Sequence, residues 1–260
     1  MPFHTTDGVR YLTFDSFPKS IVHAVFTRQG GLSPAPWDSL NLGWTVGDER
    51  ERVRENRYRA FRALGRDPGS MFDVWQVHSA DVVIAQIPHF SLPTEFKADA
   101  ILTDQPGVTL FMRFADCVPI LLHDPRMGVA GIVHAGWQGT VKKILKETIH
   151  VMQAAYGSAP ADILAAIGPS IGPDHYEVGP DVVERVRASF NGDSPSLLQT
   201  HAGRVHFDLW AANRLTLEQA GVGQVEVAEL CTACAPDDWY SHRAQNGKTG
   251  RFGALIGLAQ

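Results

Sequence analysis

Cysteine is scarce, with three thiols in 260 residues. So sparse and odd a set is no disulfide scaffold, and a reducing, cytoplasmic setting is expected. Long apolar runs are missing too: Val129–Val133 is among the longest, far short of the ~20 residues a membrane span needs. The opening Met-Pro-Phe-His-Thr-Thr-Asp has no basic stretch leading into an apolar one, so no secretory signal is expected. Positive charge is in deficit, with 23 Lys and Arg against 28 Asp and Glu for a net charge of -5. That balance offers no global field to recruit nucleic acid or anionic membrane. No Gly-x-Gly-x-x-Gly follows a strand and no Walker loop occurs, which leaves a nucleotide-cofactor fold unsupported.

What is there is globular: 44% hydrophobic and 20% charged residues sit near the averages for folded domains. With no internal repeat or low-complexity linker, residues 1–260 read as one domain. Strands are expected at Ile21–Thr27, Phe72–Val77, Val82–Ala85, Val108–Phe114, Val118–His123, Val129–His134, Asp162–Ile167, Gln224–Leu230 and Phe252–Leu258. Helices are expected over Glu51–Leu64, Thr140–Tyr156 and from the capping Asp208 to Gly221. Strands and helices interspersed through tight hairpins and longer crossovers predict a mixed α/β (α+β) fold, a layered sandwich of mixed β-sheets with outer helices. The seven arginines from Arg50 to Arg66, interleaved with Glu49, Glu51 and Glu55, read as a salt-bridged solvent face.

Two strand ends draw the chemistry together. Ala115-Asp116-Cys117-Val118-Pro119 opens one strand and Val133-His134-Ala135-Gly136-Trp137 closes the next, around the turn Asp124-Pro125-Arg126-Met127-Gly128. A four-residue turn over Asp124–Met127 pairs residue i with residue 251 − i, so Cys117 faces His134. Residues so paired carry Cβ atoms ~4.5–5.5 Å apart, close enough to share a zinc ion ~2.0–2.3 Å from each donor. Asp116, beside Cys117, is a candidate to orient a histidine. Gly136 and Gly139 flank a strand-to-helix passage whose backbone N–H groups would face an anion. For a third ligand, His78 at the end of Trp75-Gln76-Val77-His78 competes with His23, His123 and His242. Two His and one Cys with an open fourth position make a catalytic rather than a structural zinc site.

A series of short motifs narrows the choice: Arg28-Gln29-Gly30-Gly31-Leu32-Ser33, Ser39-Leu40-Asn41-Leu42-Gly43, Val46-Gly47-Asp48, Gln76-Val77-His78, Ala98-Asp99-Ala100, Ala115-Asp116-Cys117-Val118-Pro119, His134-Ala135-Gly136-Trp137, Ile167-Gly168-Pro169 and Tyr176-Glu177-Val178. In this order they resemble the YfiH-type laccase-domain family, from Arg28 to about Arg251. The resemblance implies zinc ligands at His78, Cys117 and His134, and a fold like that of certain cysteine deamidase toxins. It implies phosphorolysis of adenosine, inosine and methylthioadenosine, and deamination of adenosine. It also implies a link to peptidoglycan editing. The partners expected are purine nucleosides and phosphate, with no nucleic acid and no membrane, for a monomer or homodimer.

Zinc would activate water against C6 of adenine, and arginine would hold phosphate by its planar fork. Arg28 is the first choice for that anion, ahead of Arg243 and Arg251; Asn41, Gln76, Gly136 and Trp137 complete the expected substrate contacts. Some positions depart from the family: Gln138 and Ala244 stand where arginine is common, and Ser170 where many relatives have Cys.

Other readings start from the same residues. With Cys117 as nucleophile and His134 as base, the hairpin could serve a cysteine hydrolase or deamidase, which would survive chelators. A closed fourth ligand would make it a non-catalytic binding module. A thiolate with two imidazoles could also take up copper, but the chain contains no His-x-His, which weakens a polyphenol oxidase reading. Cys231-Thr232-Ala233-Cys234 is a lone pair, half a zinc site at most.

Overall fold

The structure, a computed structural model, describes residues 1–90 and 95–259. Its strands are β1 (Phe3–Thr6), β2 (Val9–Leu12), β3 (Ile21–Phe26), β4 (Met71–Phe72), β5 (Val82–Ile84), β6 (Ala100–Thr103), β7 (Thr109–Phe114), β8 (Val118–Asp124), β9 (Val129–Ala135), β10 (Leu164–Ile167), β11 (Leu198–His201), β12 (Arg204–Phe207), β13 (Gln224–Val227) and β14 (Phe252–Leu258). The helices are α1 (Arg50–Ala63), α2 (Trp137–Val141), α3 (Ile144–Tyr156), α4 (Pro180–Phe190), α5 (Ser194–Leu197) and α6 (Leu209–Gln219).

Two six-stranded mixed sheets form the centre, in the orders β1-β2-β3-β14-β7-β4 and β13-β10-β8-β9-β6-β5, with a separate β11-β12 hairpin. Val25, Leu110, Met112, Phe114, Ala254 and Ile256 of the first sheet meet Ile101, Leu121, Ala130, Ile132 and Ala166 of the second. Behind the first sheet, Phe26, Phe111 and Leu255 pack on Ala60 and Phe61 of α1. Behind the second, Leu102, Ile120, Leu122 and Val133 pack on residues of α3, α4 and α6, among them Ile149, Val186 and Leu217. Four layers result, and they explain the sequence. β8, β9 and β14 are buried along their whole length, which is why they read as continuous apolar runs rather than alternating ones.

Several elements differ from the sequence expectation. The helix expected over 140–156 is two helices, because Lys143 lies in the left-handed region at φ 63°. The break leaves Gly136 as the N-cap of the short α2. Lys142, at the break, donates to the His78 carbonyl at 2.6 Å. The strand expected over 72–77 ends at Phe72 and leaves Val74–Gln76 outside any strand, with one bridge from Trp75 to Lys97. Arg57 and Arg66 do not belong to a solvent face: both turn inward, Arg57 to Asp73 at 2.8 Å and Arg66 to Thr109 and the Leu258 carbonyl. Arg52, Arg54, Arg59 and Arg62 do pair with acidic neighbours on the exposed side.

Candidate metal centre

The β8–β9 hairpin pairs Val118 with Ala135 and Pro119 with His134, closing on Asp124 and Val129. The loop is therefore 125–128, not 124–127, because the Asp124 carboxylate accepts from the Arg126 and Met127 N–H groups while Asp124 itself stays in the strand. Every partner lies two residues beyond the expected one. An even shift keeps each side chain on its face, so Cys117 and His134 still share one side.

His78 reaches them from the loop between β4 and β5, in the left-handed region at φ 58°. Its Nε2 is 3.9 Å from Cys117 Sγ, and its ring centroid is 5.0 Å from that of His134. One donor atom from each of the three lies within 4.8 Å of the others. A tetrahedral zinc ion separates S and N donors by about 3.5 Å, so the set needs only slight closure. Gly136 makes room: a β-carbon there would stand 2.7 Å from Cys117 Sγ and 3.2 Å from His78 Cδ2.

Asp99 organises the three side chains. Its Oδ1 is 2.8 Å from His134 Nδ1, which fixes that ring and leaves Nε2 as the donor. Its Oδ2 accepts from the N–H groups of Val77 and Ser79, holding the His78 loop. Asp116 does not hold a histidine: its carboxylate accepts from the Thr232 hydroxyl at 2.6 Å and from the Arg243 N–H at 2.7 Å. It stands in the left-handed region at φ 81°, the bend from which Cys117 emerges.

Burial would push the Cys117 thiol up, but the adjacent His134, with His78, holds it down to about 6. Burial likewise disfavours charge on His134, yet Cys117 and Asp99 raise it to about 9. Without metal the pair is thus a thiolate beside an imidazolium near neutral pH. A thiolate and two imidazoles suit zinc, or copper, better than a hard cation.

His78, Cys117 and His134 open on a cavity of about 490 Å³. Trp44, Trp75, Trp137 and Tyr176 line it, with Gln76, His242 and three arginines, Arg113, Arg243 and Arg251. The Gln76 amide oxygen accepts from Arg113 Nε at 3.2 Å, and Asp73 accepts from Arg113 NH1 at 2.7 Å. Arg243 lies 5.3 Å from the Tyr176 ring and donates to the Glu177 carbonyl.

Arg28 is not at this cavity. It stacks on Tyr240 and donates to Asp38 and to the Pro236 carbonyl, a buried guanidinium committed to its own loop. Asn41 is also buried beneath the lining, where its amide accepts from the N–H groups of Gly43 and Arg251. Of the other candidate histidines, His23 accepts from the Phe14 N–H and His123 bonds the Val129 carbonyl, both away from the ligands. The Ser170 hydroxyl accepts from Trp210 Nε1 at 2.6 Å. Sequence reasoning did not assign roles to Asp99 and Arg113. The signal for Arg113 was a single charge inside the apolar strand Val108–Phe114; Asp99 showed itself only as the acid between two alanines leading into β6.

Residues 22–259 match the family described as multi-copper polyphenol oxidoreductase laccase. The chain is 44% identical to a purine nucleoside phosphorylase of Deinococcus radiodurans, over 92% of this chain and 90% of that one. It is 34% identical to purine nucleoside phosphorylase YfiH of Escherichia coli, over 93% and 95%. The crystal structure of YlmD from Geobacillus stearothermophilus superposes with a TM-score of 0.93 at 36% identity, covering 99% of each chain. Bacillus licheniformis YfiH superposes with a TM-score of 0.90 at 32% identity, also over 99% of each. With its His-Cys-His cluster on a shared fold, this chain belongs to the YfiH-type laccase-domain family.

Proposed function

We propose that the protein is a zinc-dependent purine nucleoside enzyme that cleaves adenosine, inosine and methylthioadenosine with phosphate and deaminates adenosine. The observation that carries this reading is the convergence of His78, Cys117 and His134 donors within 4.8 Å at a cavity that also holds three arginines and four large aromatic rings. Relatives named purine nucleoside phosphorylase, one of them 44% identical, support it.

Zinc held by those three side chains would supply Lewis acidity. The chain's own residues do the rest. Arg243 and Arg251 bind phosphate, while Arg113 is held in the cavity wall by Asp73, Val74 and Gln76. Trp44, Trp75, Trp137 or Tyr176 stack on the purine, an apolar face with polar edges. Asp99 keeps a proton on His134 Nδ1 and so presents Nε2. The Trp137-bearing turn lies beside the ligands with Gly136 as its N-cap. Asp116 sets the bend that aims Cys117. The site suits small molecules rather than nucleic acid or membrane, and the protein works in the cytoplasm as a monomer or homodimer.

A second reading rests on the low-lying Cys117 thiol beside a charged His134: a cysteine hydrolase, including one that edits cell-wall precursors, at the same place. Copper oxidation is less suited, because the chain contains no His-x-His and His242 is the only other histidine lining the cavity among the described residues. Chromatography with mass detection of adenosine and phosphate separates these readings. Adenine with ribose 1-phosphate means phosphorolysis, and inosine means deamination; no change in adenosine, with zinc bound, would sink the proposal.

A further inference from the structure

A second cluster of ligands lies outside the cavity. Asp174, His175, Cys231 and Cys234 each place a donor atom within 4.8 Å of the others. All three cysteines of the chain are free thiols. We propose that these four residues bind a second zinc ion, a closed structural site distinct from His78, Cys117 and His134.

Three of the four measured separations fall within the edges of one tetrahedron, and the fourth, His175 to Asp174, is 0.3 Å short of it. Cys234 Sγ is 3.5 Å from His175 Nδ1 and 3.7 Å from Asp174 Oδ2, Cys231 Sγ is 3.8 Å from His175 Nδ1, and His175 Nδ1 is 3.0 Å from Asp174 Oδ2. With Zn–S near 2.3 Å and Zn–N or Zn–O near 2.0 Å, tetrahedral edges run about 3.3–3.8 Å. Two strands of chain supply the pairs side by side: Ser170 bridges Cys231 in parallel, and the Thr232 N–H donates to the Ser170 carbonyl at 3.0 Å. The Cys-x-x-Cys spacing, set aside in the sequence for want of a second pair, finds that pair in Asp174-His175 about 60 residues away.

The surroundings of Cys231 fit a thiolate, whereas burial, Cys231 and Asp174 push the Cys234 thiol up to about 12, so that thiol would lose its proton to the metal. The Gly172 N–H donates to Cys231 Sγ at 3.2 Å, the kind of bond that stabilises a metal-bound sulfur. Gly172 leaves room there, since a β-carbon would stand 3.0 Å from Trp210 and 3.1 Å from Cys231 Cβ and would displace the Asp174 carboxylate. Four protein ligands leave no open position, so this ion serves structure rather than catalysis. It would clip two loops that serve the cavity. Tyr176, next to His175, lines it. Thr232, between the two cysteines, donates to Asp116, the residue before Cys117.

Zinc content of the full-length protein, reconstituted under reducing conditions and desalted, tests this. Two ions per chain are expected for the native protein, one for Cys117→Ala and one for Cys234→Ser. The cobalt form of Cys117→Ala should show a tetrahedral spectrum with the sulfur charge-transfer intensity of two thiolates. Cys117→Ala without metal, or Cys234→Ser retaining two ions, would overturn the second site. A Cys231–Cys234 disulfide in the reduced, zinc-loaded native protein would overturn it as well. Should Cys234→Ser fail to fold, the Cys117→Ala measurements decide alone.

Discussion

Gly136 lies directly against Cys117: a β-carbon on the glycine would come within 2.7 Å of the sulfur. The hairpin brings these two strand ends opposite one another, so the room a ligated thiolate needs is set by the missing side chain. Gly136→Ala should therefore move the sulfur or the backbone and lower zinc affinity at least tenfold, with the fold kept. Competition against a chromophoric chelator measures it; unchanged affinity would show that the Cys117 sulfur has slack the structure does not reveal.

Zinc uptake should release protons in a pH-dependent way. In the metal-free protein Cys117 titrates at about 6 and His134 at about 9. Between those values the pair holds one proton, on His134, which must leave when the metal binds. Apparent affinity should then rise about tenfold per pH unit across this window from the pair alone, and more steeply below about pH 6. Calorimetry in buffers of different ionisation enthalpy counts the protons. The same pair contributes little slope to metal-free stability. The depressed Cys117 gains stability as pH rises from 6 toward its ordinary 9.0, while the raised His134 loses it from 6.5 toward 9.

His23 should make the fold acid-sensitive. Burial lowers it from 6.5 to about 4 as it accepts the Phe14 N–H. A folded-state pKa below the unfolded one means stability is fully present above pH 6.5 and is lost as pH falls toward 4. The full shift corresponds to about 3 kcal/mol. Denaturant unfolding at pH 7 and pH 4.5 should show a steeper loss in the native protein than in His23→Phe; equal losses would show that His23 is not the source of the acid sensitivity.

Arg243→Ala and Arg28→Ala should fail differently. Arg243 lines the cavity, so its loss should raise the KM for phosphate about tenfold or more at nearly unchanged stability. Arg28 is buried and tied to Asp38, Pro236 and Tyr240, so its loss should cost about 2–4 kcal/mol of stability. Steady-state kinetics with phosphate varied, beside thermal melts, separate the two.

How much was legible in the sequence follows from which forces were local. The apolar runs of β7, β8, β9 and β14 announced themselves because both faces are buried. The meeting of Cys117 and His134 was legible because a hairpin carries its partners close in sequence, even with the turn misplaced by one residue. The β1–β2 and β11–β12 hairpins were missed although Asp7-Gly8 and Ala202-Gly203 both adopt positive φ, the pattern of a type I′ turn. Helix α4 was missed although Gly179-Pro180 opens it with proline in the first turn. Asp99 for His134, Arg113 for the cavity and Asp174-His175 for Cys231 and Cys234 depend on contacts between distant segments. No periodicity encodes those. Arg28 misled because a glycine-flanked arginine looks the same in sequence whether it faces a ligand or its own loop.

The most direct test of the central claim is turnover of adenosine with phosphate by protein stripped with a strong chelator, then given zinc, beside Cys117→Ala treated alike. Adenine or inosine should form before stripping, stop after it and return with zinc in the native protein alone. Turnover that persists in the stripped protein, or in zinc-treated Cys117→Ala, would contradict it.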